Sequence, residues 1–136
     1  MGINDNEYLE KICNLLSCVE EEEQKAMVLA ARTAYQSIKN GGLLHVFSSG
    51  HSHMIAEEMF YRAGGLVPIN PILDEKLIIH KGAIQSTRNE RISGKAEEIL
   101  GRENLKEGDT IIISSNSGIN IIGIEAALFA KSKGLT

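Results

Sequence analysis

The sequence predicts an α/β fold, a parallel sheet wound by strand–helix–strand crossovers. Three observations predict it. Leu43-Leu44-His45-Val46 and Ile111-Ile112-Ile113 are short apolar runs of the length of buried strands. Each run ends in a hydroxyl-rich turn with a glycine: Phe47-Ser48-Ser49-Gly50-His51-Ser52-His53 and Ser114-Ser115-Asn116-Ser117-Gly118-Ile119-Asn120. Each turn leads into a helical pattern, and helical stretches between strands indicate the crossovers of a parallel sheet.

The elements follow in order. A helix at 6–17 sets Tyr8, Leu9, Ile12, Leu15 and Leu16 at helical spacing. A second, at 19–39, opens on Glu20-Glu21-Glu22-Glu23, a charge that suits a helix N-terminus, and ends at Asn40-Gly41-Gly42. The first strand is 43–47, followed by its turn and a helix at 52–63 that Gly64-Gly65 stops. A short strand at 66–69 contains Pro68, which suits an edge position. Residues 70–84 read as loop with room for a short helix, 86–100 as helix, and 101–108 as a link. The third strand is 109–113 and the last helix 118–133. Leu135-Thr136 reads as the start of another strand, and three strands make a narrow α/β sheet. The chain is therefore expected to be the N-terminal part of a longer one. A single domain over 1–136 is expected, with a helical prelude at 1–40 and a partial α/β core at 41–136.

Composition narrows the function. The net charge is −4 and the pI near 5.6, so no basic stripe is present to neutralise nucleic-acid phosphates. Trp is absent and aromatics are 4%, which argues against base stacking as the mode of binding. No apolar run approaches the ~18 residues of a membrane span. The start, Met1 to Glu7, has neither the positive end nor the apolar centre of a signal peptide, and Cys13 and Cys18 cannot easily bridge on one helix. A cytoplasmic, reduced protein is expected, with no nucleic-acid or membrane partner.

The two turns carry the chemistry. A phosphate monoester needs convergent donors with no bulky side chain in the way. Ser48, Ser49, Ser52, Ser114, Ser115 and Ser117 supply hydroxyls, Asn116 and Asn120 supply amides, and Gly50 and Gly118 let the backbone approach. In doubly wound sheets the ligand sits at the carboxyl ends of the strands, where these turns fall. The plainer reading makes the serines helix caps and turn formers. No Gly-x-Gly-x-x-Gly or Walker lysine points to a nucleotide, and no cofactor is expected.

These turns resemble those of the SIS (sugar isomerase) domain family. Ser49-Gly50-His51-Ser52 and Ser115-Asn116-Ser117-Gly118-Ile119-Asn120 carry the likeness, together with Asp109 to Ser114 and Glu125 to Gly134. More narrowly, Gly50 to Gly65 and Ser86-Thr87-Arg88-Asn89-Glu90-Arg91 resemble a bacterial group of phosphoheptose isomerase-like SIS proteins. The resemblance implies a flavodoxin-like three-layer sandwich, a phosphosugar held by the two Ser turns, and a homodimer or homotetramer.

Aldose–ketose isomerisation needs a base between adjacent carbons and an acid to open the ring. Glu57, Glu58, His51 and His53 follow the first turn, and Glu90 lies further on. His53 and Glu57 share a helix face and form a candidate acid/base pair. The His-Phe-x-x-Glu string of phosphoheptose isomerase is absent, so that enzyme's base has no counterpart here. His51 and His53 do not face one site on a helix, so no metal is expected. His45, inside an apolar strand, reads as a core histidine, and His80-Lys81 as a surface loop or a sugar contact. Two readings remain open: a phosphosugar isomerase, or a non-catalytic phosphosugar sensor that needs the cradle only.

Overall fold

The computed structural model describes residues 5–136, with side chains from Asn6 onward. The chain divides into two units, Met1–Tyr35 and Gln36–Thr136. One helix, α1 (Asp5–Lys39), carries the first unit and extends into the second. It replaces the two helices expected at 6–17 and 19–39. Nothing at Ser17-Cys18 breaks it, since neither a proline nor a glycine is present. The four glutamates therefore lie mid-helix. Tyr8, Leu9, Ile12, Leu15 and Leu16 stand exposed along it.

The second unit is a three-stranded parallel sheet in the order β2-β1-β3, with β1 at Leu44–Ser48, β2 at Ile69–Ile72 and β3 at Thr110–Ser114. β1 lies in the middle and is buried throughout, which is why it reads as an unbroken apolar run. β2 falls three residues later than the expected 66–69 and contains Pro71. As an edge strand it tolerates a residue that donates no ladder hydrogen bond.

Helices follow the sheet. α2 is only Met54–Met59, after a 3-10 turn at Gly50–His53, and so is much shorter than the helix expected at 52–63. The helix expected at 86–100 is two, α3 (Ala83–Asn89) and α4 (Lys95–Leu100). Gly94, at φ +78, turns the chain between them in a conformation glycine adopts at little cost. α5 is Ile121–Ser132. Phe47 and Ile72 pack with Leu77, with Ala96, Ile99 and Leu100 of α4, and with Ile122 and Ala126 of α5. This is the main core. Thr136 donates to the Asp109 carbonyl (3.1 Å) and accepts from Ile111 N–H (2.9 Å), the pattern of a parallel strand on the outer edge of β3.

A polar network links β2, β1 and the residue leading into β3 at the end of the sheet remote from the turns. His45, fully buried in β1, contacts the Asp109 carboxylate through Nε2 at 3.0 Å. The Asn70 amide of β2 donates to His45 Nδ1 (3.0 Å) and to Glu103 (3.1 Å). An acceptor at Nδ1 leaves the His45 hydrogen on Nε2, directed at Asp109. Asp109 also accepts from Leu43 N–H (2.9 Å) and Lys106 N–H (3.0 Å). Burial alone pushes this carboxyl up. The hydrogen bonds from His45, Leu43 and Lys106 outweigh that and hold it below its ordinary value.

A lowered folded-state pKa gives stability that is present above the ordinary carboxylate value and lost as pH falls through the folded one. Asp109→Asn should therefore cost about 2–3 kcal/mol at neutral pH in urea unfolding. The cost should shrink as pH is taken below about 4. An equal cost at pH 7 and pH 3 would contradict it.

Candidate functional site

From β1 the chain runs outward to β2 on one side, then returns to β3 on the other side of β1. The carboxyl ends of β1 and β3 thus form the point where strand order reverses, where open α/β sheets hold ligands. Both hydroxyl-rich turns leave the sheet at this point. Ser48 and Ser114 are register partners, and their hydroxyls converge on the Ser52 carbonyl at 2.8 and 3.2 Å. These two serines fasten the first turn to both strands.

Between the turns opens a cleft of about 650 Å³. Ser49, Gly50, His51, Ser52, Ser115, Asn116, Ser117, Asn120 and Glu90 line it, with Met54 and Ile55 as apolar wall. Of the residues expected to bind, Ser48, Ser114 and Gly118 do not reach the lining. Gly118 instead shapes the second turn at φ +66. Its N–H donates to the Ser115 hydroxyl (3.0 Å), and Ile119 N–H donates to the Ser117 hydroxyl (3.5 Å). Both hydroxyls act as acceptors here and keep their own hydrogens to donate. Asn120 is the N-cap residue of α5, yet its side chain makes no cap hydrogen bond. The Asn120 cap residue thus lines the cleft at the start of α5 with its amide uncommitted to the helix.

The first turn is different. It feeds a 3-10 turn and a six-residue helix, too short to present a strong dipole. Ser49, at its N-cap position, makes no cap bond and donates to Glu90 Oε2 at 2.9 Å. The Glu90 backbone carbonyl accepts from Ile122 N–H of α5 (3.3 Å). Glu90 is thereby tied to the first turn and to α5, although it lies in the bend after α3.

The other acidic and basic candidates lie elsewhere. His53 is buried, with Nδ1 on the Gly50 carbonyl and Nε2 3.4 Å from Glu57. The pair forms, but neither residue lines the cleft. Glu58 is paired with Arg62 on the surface. A second cleft of about 520 Å³ adjoins the first and shares Gly50, His51 and Glu90 with it. His80 lines it, while Lys81 pairs with Glu75 at 3.4 Å. Met54, Ile55 and Thr87 are lining residues that sequence reasoning passed over, because nothing in their type separates them from exposed helix positions.

The SIS domain family matches residues 7–136 of this chain. The chain belongs to the SIS domain family. A UPF0309 protein of Halalkalibacterium halodurans is 42% identical over 127 residues, covering 93% of this chain and 51% of that protein. UPF0309 proteins of Geobacillus kaustophilus and Caldanaerobacter subterraneus subsp. tengcongensis are each 41% identical over 129 residues. Those matches cover 95% and 94% of this chain and 51% and 52% of the relatives. The SIS chain thus spans about half the length of the curated relatives it matches. Among its described residues no helix is long and apolar enough to cross a membrane.

The geometry separates the serines that fasten the strands from those that line the cleft. Ser48→Ala should lower stability by about 1 kcal/mol, the net worth of one hydrogen bond. Ser117→Ala, on an exposed turn, should stay within about 0.5 kcal/mol of the parent in denaturant unfolding. The reverse order would mean that the roles are wrongly assigned.

Proposed function

We propose that this SIS domain binds a sugar phosphate in the cleft between its two Ser-rich turns, with the phosphate against the second turn. The observation that carries this is the set of unengaged donors at the strand-order reversal. The residues Ser52, Ser115, Ser117, Asn116 and Asn120 line one cleft between the two turns, with hydroxyl and amide donors not engaged elsewhere in the fold. Neutral donors and a helix start can hold a phosphate without lysine or arginine. Family membership supports the same ligand class.

The finer reading is an aldose–ketose phosphosugar isomerase. Glu90 serves as the base that carries the proton between adjacent carbons, and His51 opens the ring. Both line the cleft, and the Ser49 hydroxyl donates to Glu90 Oε2 and holds that carboxylate in place. His53 and Glu57 are proposed as support for the first turn. The exposed apolar residues of α1 favour a homo-oligomer, with Tyr8, Leu9, Ile12, Leu15 and Leu16 as the contact surface. The exposed free thiols of Cys13 and Cys18 fit a reducing, cytoplasmic setting.

A thermal-shift panel tests the ligand class. At least one sugar phosphate should raise Tm while its unphosphorylated parent does not, and Ser117→Ala with Asn120→Ala should abolish the shift. Equal shifts with parent and phosphate would exclude a phosphate site. Sedimentation at micromolar concentration should give a dimer or tetramer that Leu15→Glu with Leu16→Glu dissociates; a monomer throughout would remove the proposed contact.

A further inference from the structure

We propose that the end of α2 is a two-state element, whose rewinding decides how much apolar surface is open beside β2. In one form α2 stops at Met59 and the chain turns out at Phe60 and Tyr61. In the other, α2 continues to Ala63 and Phe60 is buried. The proposal is independent of the ligand reading, since neither Phe60 nor Tyr61 lines the clefts beside the two Ser-rich turns.

The local sequence favours the longer helix. From Met54 to Ala63 there is neither glycine nor proline. Gly64 follows and already has φ +76, the conformation of a glycine that closes a helix ending at Ala63. Glu58 and Arg62 are paired at the four-residue spacing of one helix face. Yet Phe60 is extended, at φ −90 and ψ 138, and Tyr61 stands at φ +52. Tyr61 is the one non-glycine residue at positive φ among the described residues, and a bulky side chain is strained there.

Such strain persists where the surroundings enforce it. Little enforces it here. Tyr61 is 93% exposed and Phe60 47%, and they meet each other in a tilted ring pair with centroids 6.0 Å apart. Leu66 and Val67, beyond them, are exposed as well. The longer helix gives Phe60 a place. α2 packs against β1 and β2, with Ala56 fully buried. In a continuous helix Phe60 and Ala63 follow Ala56 at i+4 and i+7, on the same inner face. A cavity of about 320 Å³ lies between the end of α2 and the start of β2, with Met59, Ala63, Leu66 and Ile69 in its lining. Rewinding exchanges a strained Tyr61 and an exposed Phe60 for one more helical turn and a filled cavity. The unwound form keeps the ring pair and the freedom of the chain. These opposing terms are of the same order, so both forms are populated.

NMR of the full chain tests this, through the Cα chemical shifts of residues 60–63 and relaxation dispersion of their amides. Tyr61→Gly, unstrained at positive φ and poor in a helix, should raise the unwound-to-wound ratio about tenfold. Tyr61→Ala, which keeps the strain and favours helix, should lower it about twofold. Phe60→Ala should raise it about threefold, although alanine is the better helix former, because the wound form loses its buried ring. Unchanged shifts at Asn70 and Glu103 show that each variant is folded. One fixed conformation of residues 60–63 in the parent and all three variants, helical or unwound, would overturn the proposal. So would a move toward helix in Phe60→Ala, since the wound form would then not depend on burying that ring.

Discussion

The pairing of β1 with β3, in register from Leu44↔Thr110 to Ser48↔Ser114, brings together two turns that lie far apart in the sequence. A parallel pair has its carboxyl ends at the same edge by construction. The register then sets Ser48 beside Ser114, and the two hydroxyls meet at the Ser52 carbonyl. A slip of one residue would turn every side chain of β3 to the other face. It would break this junction and bury the wrong residues against α4 and α5. At the opposite end the network of Asn70, His45 and Asp109 links β2, β1 and the residue that leads into β3. Its partners are specific, and each fits one alignment of the strands. Sheet register and site geometry therefore have the same cause.

The site holds few charges, and that has a physical logic. A helix start and neutral hydroxyls attract a phosphate without a counter-cation that would bind any anion. Ser49 donates to Glu90 and so holds that carboxylate in position.

Much of this was legible in the sequence, in ways that depend on particular residues. The apolar runs around Val46 and Ile112 located β1 and β3 within one residue; for β1, central and buried throughout, continuous hydrophobicity is the mark of a strand buried on both faces. That one residue mattered. Both strands end a residue later than expected, so Ser48 and Ser114 belong to the sheet and serve it. β2 was misplaced because Leu66-Val67 is apolar yet exposed, while Asn70 and Pro71 look unlike a strand and are accepted at an edge. The acidic run at Glu20 to Glu23 resembled a helix start, but a charge that suits a terminus does not create one. The spacing of His53 and Glu57 rightly predicted their contact. It could not show that the 3-10 turn rotates His53 inward beneath Gly50. Glu90 was identified from its neighbours in the sequence, whereas its tie to Ser49 is a tertiary contact that no local pattern encodes.

The central claim is that a phosphate group sits between the two turns, against the second. The most direct measurement is backbone amide chemical-shift mapping of the full chain during titration with the best-binding sugar phosphate. The account predicts the largest changes at Ser117, Gly118, Ile119 and Asn120, smaller ones at Gly50 and His51, and none at Asn70 or Glu103. Saturable changes confined to α1 or to the Asn70 end of the sheet, with the Ser117 to Asn120 amides unmoved, would contradict it.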